Sequence, residues 1–281
     1  MPTKAFNVSF YQAHMPELPV AIANDLLAPL IIDPPLIEFG AYRYKLHVEP
    51  VGGGVCRGQF KRYGRDDLPH AGTPDGAERE LELLEEEMTI ERNYFLYYPA
   101  RKLLVWQENR RASVVQTVGK YLTQRFGHTV TFEPFMTVEA TRALMLQNHP
   151  PKLLEITVAR PLNPQMYDAN DDSRRIMEML AGLGALTGSF RISANSMAVK
   201  GRVLDAARTL ALGNSLVESG QARRVKLALE GVEHPIDLIN DRLRGKANVE
   251  MNGRYPMPDS IYNELLGAKD DAEEQLRELL G

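Results

Sequence analysis

The sequence predicts an α/β protein of the α+β kind, with two domains that are each a mixed sheet carrying packed helices. Three observations carry that expectation. Short runs alternate apolar and polar residues, as in KLALE near residue 228, which is the period of a half-buried strand. Longer runs repeat apolar residues at helical spacing, as in VVQTVGKYLTQRF. Proline and glycine clusters separate the two kinds, and QNHPPK around Pro150 and Pro151 divides the chain into residues 1–149 and 150–281.

The first half reads as strands and helices in alternation. A strand is expected at 4–11 and a helix at 18–30, where Val20, Ile22, Leu26, Leu27 and Leu30 recur before Pro34 and Pro35 stop it. Strands at 36–48 and 55–63 join across Gly52, Gly53 and Gly54, which permit a tight reversal. An acidic helix is expected within 75–91, then a second hairpin, 93–98 with 102–107, around Pro99-Ala100. Ser113 and Gln116 form an S-x-x-Q capping pattern for the next helix. Val114, Val118, Tyr121, Leu122 and Phe126 supply its stripe, and Gly127 its left-handed C-terminal cap. A strand at 129–135 ends this half.

The second half is expected to hold a strand at 153–159, a helix at 173–186 and a strand at 189–194. A helix ending at Gly220 and a strand at 223–229 follow. In that last strand Val225, Leu227 and Leu229 alternate with Arg224 and Lys226, so one face is charged. The Pro/Gly-punctuated stretch HPIDLINDRLRGKANVEMNGRYPMP leads into a closing helix from Asp259.

One cysteine in 281 residues, Cys56, excludes an internal disulfide framework and a multi-cysteine metal site, and fits a reducing cytoplasm. No segment approaches the roughly 18 apolar residues of a membrane span. A soluble, cytoplasmic chain without membrane insertion is expected. Net charge is -4, but the signs are segregated. DGAERELELLEEEMTIE and the terminal DDAEEQLRELLG are acidic, whereas residues 101–125 and 200–226 are basic.

Catalytic patterns are sparse. Gly182, Gly184 and Gly188 approach a dinucleotide fingerprint but close a helix instead of opening one, so they read as helix termination. The six histidines show no ligand spacing, and Cys56 lies inside an expected strand. No cofactor or metal ligand set is expected. Enzymatic activity stays open and is not favoured; its best expression is a metal-dependent nuclease or hydrolase drawing on Asp66, Asp67, His70 and Glu49.

The basic stretches carry the binding expectation. Arg110, Arg111, Lys120, Arg125, Lys200, Arg202, Arg208, Arg223, Arg224 and Lys226 are the candidate contacts to nucleic-acid phosphates. Arg110 and Arg111 precede the expected Ser113 cap, where a helix amino terminus welcomes an anion. The competing reading is a solvated charged face paired with the acidic run.

Taken whole, this order resembles the RexA-like exclusion proteins of phage lambda and related prophage or defence-island proteins. The likeness runs through AIANDLLAPL, GVCRGQFKRYGRDD, NYFLYYPARKLLVWQENRR, FRISANS, LDAARTLALGNSL, RVKLALEG and YPMPDSIYNELLGAKDDAEEQLREL. It implies a two-domain homodimer that binds double-stranded DNA without sequence preference in phage exclusion, beside a separately encoded effector. It transfers no catalytic motif and no individual DNA contact. A third possibility is a protein-interaction module that binds no nucleic acid, using the acidic segment and the last helix.

Overall fold

The computed structural model describes residues 2–15, 27, 30, 34–39, 42–52, 54–64, 70–80, 83–84, 86–138, 140, 150–159, 171–195, 202–219 and 221–280. The helix expected at 18–30 falls largely outside them. In chain order the strands are β1 (Thr3–His14), β2 (Ile37–Phe39), β3 (Tyr42–Gly52), β4 (Val55–Gly64), β5 (Ala71–Gly72), β6 (Glu78–Arg79), β7 (Thr89–Tyr98), β8 (Leu103–Gln107), β9 (Thr131–Pro134), β10 (Pro151–Ala159), β11 (Thr187–Ser193), β12 (Ala222–Leu229), β13 (Ile236–Asp237), β14 (Arg244–Asn252) and β15 (Tyr255–Pro256). The helices are α1 (Val115–Phe126), α2 (Asp172–Gly182), α3 (Ala206–Glu218), α4 (Pro258–Asp271) and α5 (Glu273–Leu280). The fold is α+β, as expected, and the ladders among the described residues are antiparallel where mixed sheets were expected.

The chain divides into two compact units, Met1–Pro134 with Arg244–Glu273, and Phe135–Leu243 with Glu274–Gly281. This differs from a single cut at residue 150. The first unit takes back 244–273 because β14 pairs with β1 from Thr3↔Glu250 to Ser9↔Arg244. RGKANVEMN has only Ala247 and Val249 as fully buried apolar positions, so its alternation is faint in the sequence.

The first unit is a nine-stranded sheet in the order β15-β14-β1-β8-β7-β4-β3-β2, with β9 pairing the end of β1. Alternation along its central strands sends side chains to two covered faces. Tyr11, Phe60, Phe95, Tyr97, Trp106 and Leu46 pack with Val115, Val118, Tyr121 and Leu122 of α1. On the other face Val8, Phe10, Val105, Ala247 and Val249 are buried with Ile261 and Leu265 of α4, which packs on β14, β8 and β7. Each large apolar side chain removed from water contributes roughly 1.5–3 kcal/mol. The three-layer centre therefore dominates the stability of this unit.

Helix α1 runs as expected and ends at Gly127 with φ 73°, whose N–H donates to the Thr123 carbonyl. Its start differs. The N-cap is Val114 without a side-chain cap, because the Ser113 hydroxyl donates to the Val114 carbonyl instead. The acidic run also differs from expectation. Residues 78–79 form the short strand β6, β7 already begins at Thr89, and Leu84 is 72% exposed. Crowded like charges disfavour a helix there, and Leu83 and Leu84, both exposed, find no core to reward one.

The second unit is a four-stranded sheet, β11-β10-β12-β13, with helices on one face. Leu154, Ile156 and Val158 of β10 and Val225, Leu227 and Leu229 of β12 pack with Met177 and Leu180 of α2 and Leu216 of α3. Both helices are capped by aspartates. Asp171 accepts from the Ser173 N–H at 2.8 Å, and Asp205 from the Arg208 N–H at 2.8 Å. The glycines after α2 terminate it, with Gly184 at φ 66° and the Ala185 N–H donating to the Leu180 carbonyl.

Candidate nucleic-acid interface

The α4-side face of the first unit's sheet continues past the helix onto β3 and β4. Tyr262 of α4 marks the limit of the cover. Its ring packs edge-on against Tyr94, lies under the Arg57 guanidinium at 4.9 Å, and its hydroxyl donates to the Gly58 carbonyl at 3.3 Å. Among the described residues no helix packs across β3 and the distal half of β4 on this face.

Strand register decides what that open face presents. Lys45 of β3 stands opposite Lys61 of β4, and Lys61 stands opposite Arg92 of β7. Three cations therefore lie side by side across three strands spaced about 4.8 Å apart. Among the described residues none of the three has a carboxylate within ion-pair distance; Arg92 donates to Gln59 Oε1 at 3.3 Å. The Lys61 amine is held below the ordinary lysine value, first by burial and then by Arg92 and Lys45. Nearer α4 the charges are compensated. Glu49 accepts from Arg57 Nε at 2.9 Å and contacts His47 Nε2 at 3.1 Å, which lowers its carboxyl pKa, the Arg57 hydrogen bond contributing most.

A β-bulge sets this row. Gly52 pairs with Val55, but from Pro50↔Cys56 onward the register shifts by one. The shift places Leu46 opposite Phe60 over the α1 core and Lys45 opposite Lys61 on the open side. Gly52 at φ 91° and Gly54 at φ 75° make the reversal that precedes it.

The sequence-predicted contacts divide among separate surfaces. Arg110 and Arg111 are exposed in the turn before α1. Asn109 fastens that turn to β7, donating to the Arg92 carbonyl at 3.0 Å and the Glu91 carboxylate at 3.3 Å. The Ser113 cap expected beside those two arginines is not made. Lys120 and Arg125 are exposed on α1, which covers the opposite face of the sheet. Lys200 lies outside the described residues.

The remaining candidates belong to the second unit. Arg224 and Lys226 point to the helix-free face of its sheet, as the alternation in β12 predicts, with Arg223 exposed beside them. That face carries its own carboxylates. Glu155 stands 4.0 Å from Arg224 and 3.8 Å from Arg191, and Asp237 is opposite Lys226. Arg208 makes a bidentate pair with Asp172 at 2.6 and 2.8 Å, and Arg202 is exposed. Of the residues considered for hydrolysis, Glu49 is engaged by Arg57 and His47, His70 is exposed, and Asp66 and Asp67 lie outside the described residues.

Lys45, Lys61 and Arg92 were absent from the sequence expectation, which followed density of charge along the chain. Their signal is the two-residue alternation of Lys45, His47 and Glu49 against Tyr44, Leu46 and Val48, which becomes a cluster only once the bulge is known. Among the described residues no group of three or more His, Cys, Asp or Glu is placed to hold a metal ion, and no helix is long and apolar enough to cross a membrane. No family model matches the chain, and no curated protein matches it.

Proposed function

We propose that this protein binds nucleic acid without sequence preference, through the open basic face of its first unit. The observation that carries the proposal is the Lys45–Lys61–Arg92 row. Like charges directly opposite in a sheet oppose folding by up to about 1 kcal/mol per pair. A phosphodiester lying over the row reverses that sign, because each cation then neutralises a phosphate and releases a counterion. Contacts of this kind reach the backbone of the polymer and carry no sequence information.

The likeness to exclusion proteins supplies a setting for this activity, anti-phage defence by a cytoplasmic homodimer, and names duplex DNA as the polymer. The residues on the face supply the chemistry. The test is fluorescence anisotropy of labelled DNA across a salt series. Affinity should fall steeply with salt, and Lys45→Ala, Lys61→Ala and Arg92→Ala should each reduce the log–log slope by about 0.7–0.9. Arg224→Glu with Lys226→Glu should leave affinity nearly unchanged, because Glu155 and Asp237 already compensate that face. Unchanged binding in all three first-unit variants would refute the site.

A further inference from the structure

We infer that the open face is built for single-stranded nucleic acid, with bases stacked on Tyr63 and phosphates held by Lys45, Lys61 and Arg92; this rests on the nucleic-acid reading above. Immediately beyond the cation row, register places Tyr63 of β4 between Arg43 of β3 and Ile90 of β7. Successive rows on one sheet face are about 6.8 Å apart along the strands, so Tyr63 and Ile90 are neighbours of the cationic row. Tyr63 is half-buried, and among the described residues its ring has no aromatic partner and its hydroxyl no hydrogen bond. Tyr94, on the same face, is by contrast packed against Tyr262.

Ile90 beside it is 42% exposed, an apolar side chain left open where the alternation of a solvated face calls for a polar one. On the other side of the cations, the polar Gln59 and His47 stand opposite each other, Gln59 accepting from Arg92 and His47 contacting Glu49. The pattern is therefore a row in which Tyr63 and Ile90 lie beside the Glu38-paired Arg43, a cationic row, and a polar row already engaged by Arg92 and Glu49. A duplex hides the faces of its bases and has no use for the first of these. An unpaired strand presents phosphate and base face together, the two chemistries that the cationic row and the Tyr63–Ile90 pair match.

The test uses the full chain, an oligothymidylate of about 20 nucleotides, longer than the roughly 4–16 nucleotides that comparable surfaces cover, and a blunt duplex of similar length. Anisotropy should show at least about tenfold tighter binding of the single strand. Tyr63→Ala should weaken it about 5- to 150-fold while leaving duplex binding unchanged, the range that loss of one stacked base gives. Tyr63→Phe should restore it, and an unchanged thermal midpoint for both variants separates this from misfolding. Equal or tighter duplex binding, with Tyr63→Ala neutral, overturns this inference and leaves the nucleic-acid reading standing. Absence of binding to either polymer at low salt overturns both.

Discussion

Lys61 stands between Lys45 and Arg92, and its amine gives up a proton more readily than an ordinary lysine. Its folded pKa is below the unfolded value, so between the two the unfolded chain holds more protons and stability rises with pH. The proposed phosphate attraction would run the other way, weakening as pH rises through that lowered value. Lys61→Arg should therefore hold its affinity into the alkaline range where wild type loses it, since arginine stays protonated. Lys61→Met should weaken binding yet raise the thermal midpoint by the equivalent of up to about 2 kcal/mol, because it removes two like-charge contacts. A variant both weaker in binding and less stable would contradict the proposed balance. Tyr262 gives a second titration. Burial pushes its phenol up to about 12 from 10.0, so stability complete below the unfolded value is lost as pH climbs toward the folded one. In alkaline melts Tyr262→Phe should lose less stability over that window than wild type, after an initial decrease of about 0.5–1.5 kcal/mol for the hydroxyl bond to Gly58.

Strand β4 needs a glycine where the Phe95 ring of β7 lies over it on the α1 side. A Cβ added at Gly58 would lie 2.3 Å from Phe95 Cζ and 2.4 Å from the His47 carbonyl oxygen, and the latter is backbone that cannot swing aside. Gly58→Ala should destabilise by about 1–3 kcal/mol or more, measured by chemical denaturation, and should disturb the β3–β4 register that sets the cation row. Elements with strong local signals were legible beforehand. The β3–β4 and β7–β8 hairpins, α1 with its Gly127 cap, and the alternation of β12 all follow from periodicity and turn chemistry. Elements decided by tertiary partners were not. The acidic run lacks an apolar stripe, Ser113 spends its hydroxyl on Val114, and β14 is a strand because β1 offers an edge, none of which is written within a few residues. The cation row failed to show for the same reason, since its members come from three strands.

The whole chain consists of two units whose boundaries cross the sequence three times, and the first unit joins the amino-terminal part of the chain to residues 244–273. Removing 244–281 would strip β14 and α4 from the sheet, leaving the edge of β1 and the apolar face at Val8, Phe10 and Val105 open to water. Such a truncation is expected to abolish cooperative unfolding of the first unit in calorimetry, and a native-like transition would contradict the assignment of 244–273. A net charge of -4 would not oppose the proposed polyanion binding, because local fields, not net charge, govern docking. The most direct measurement is the salt dependence of nucleic-acid affinity for wild type and for the Lys45→Ala, Lys61→Ala, Arg92→Ala triple variant. The account predicts saturable, steeply salt-sensitive binding by the wild type and a slope smaller by about 2–3 in the triple variant with its fold retained. A triple variant that binds like wild type, or a wild type that binds nothing at low salt, would contradict it.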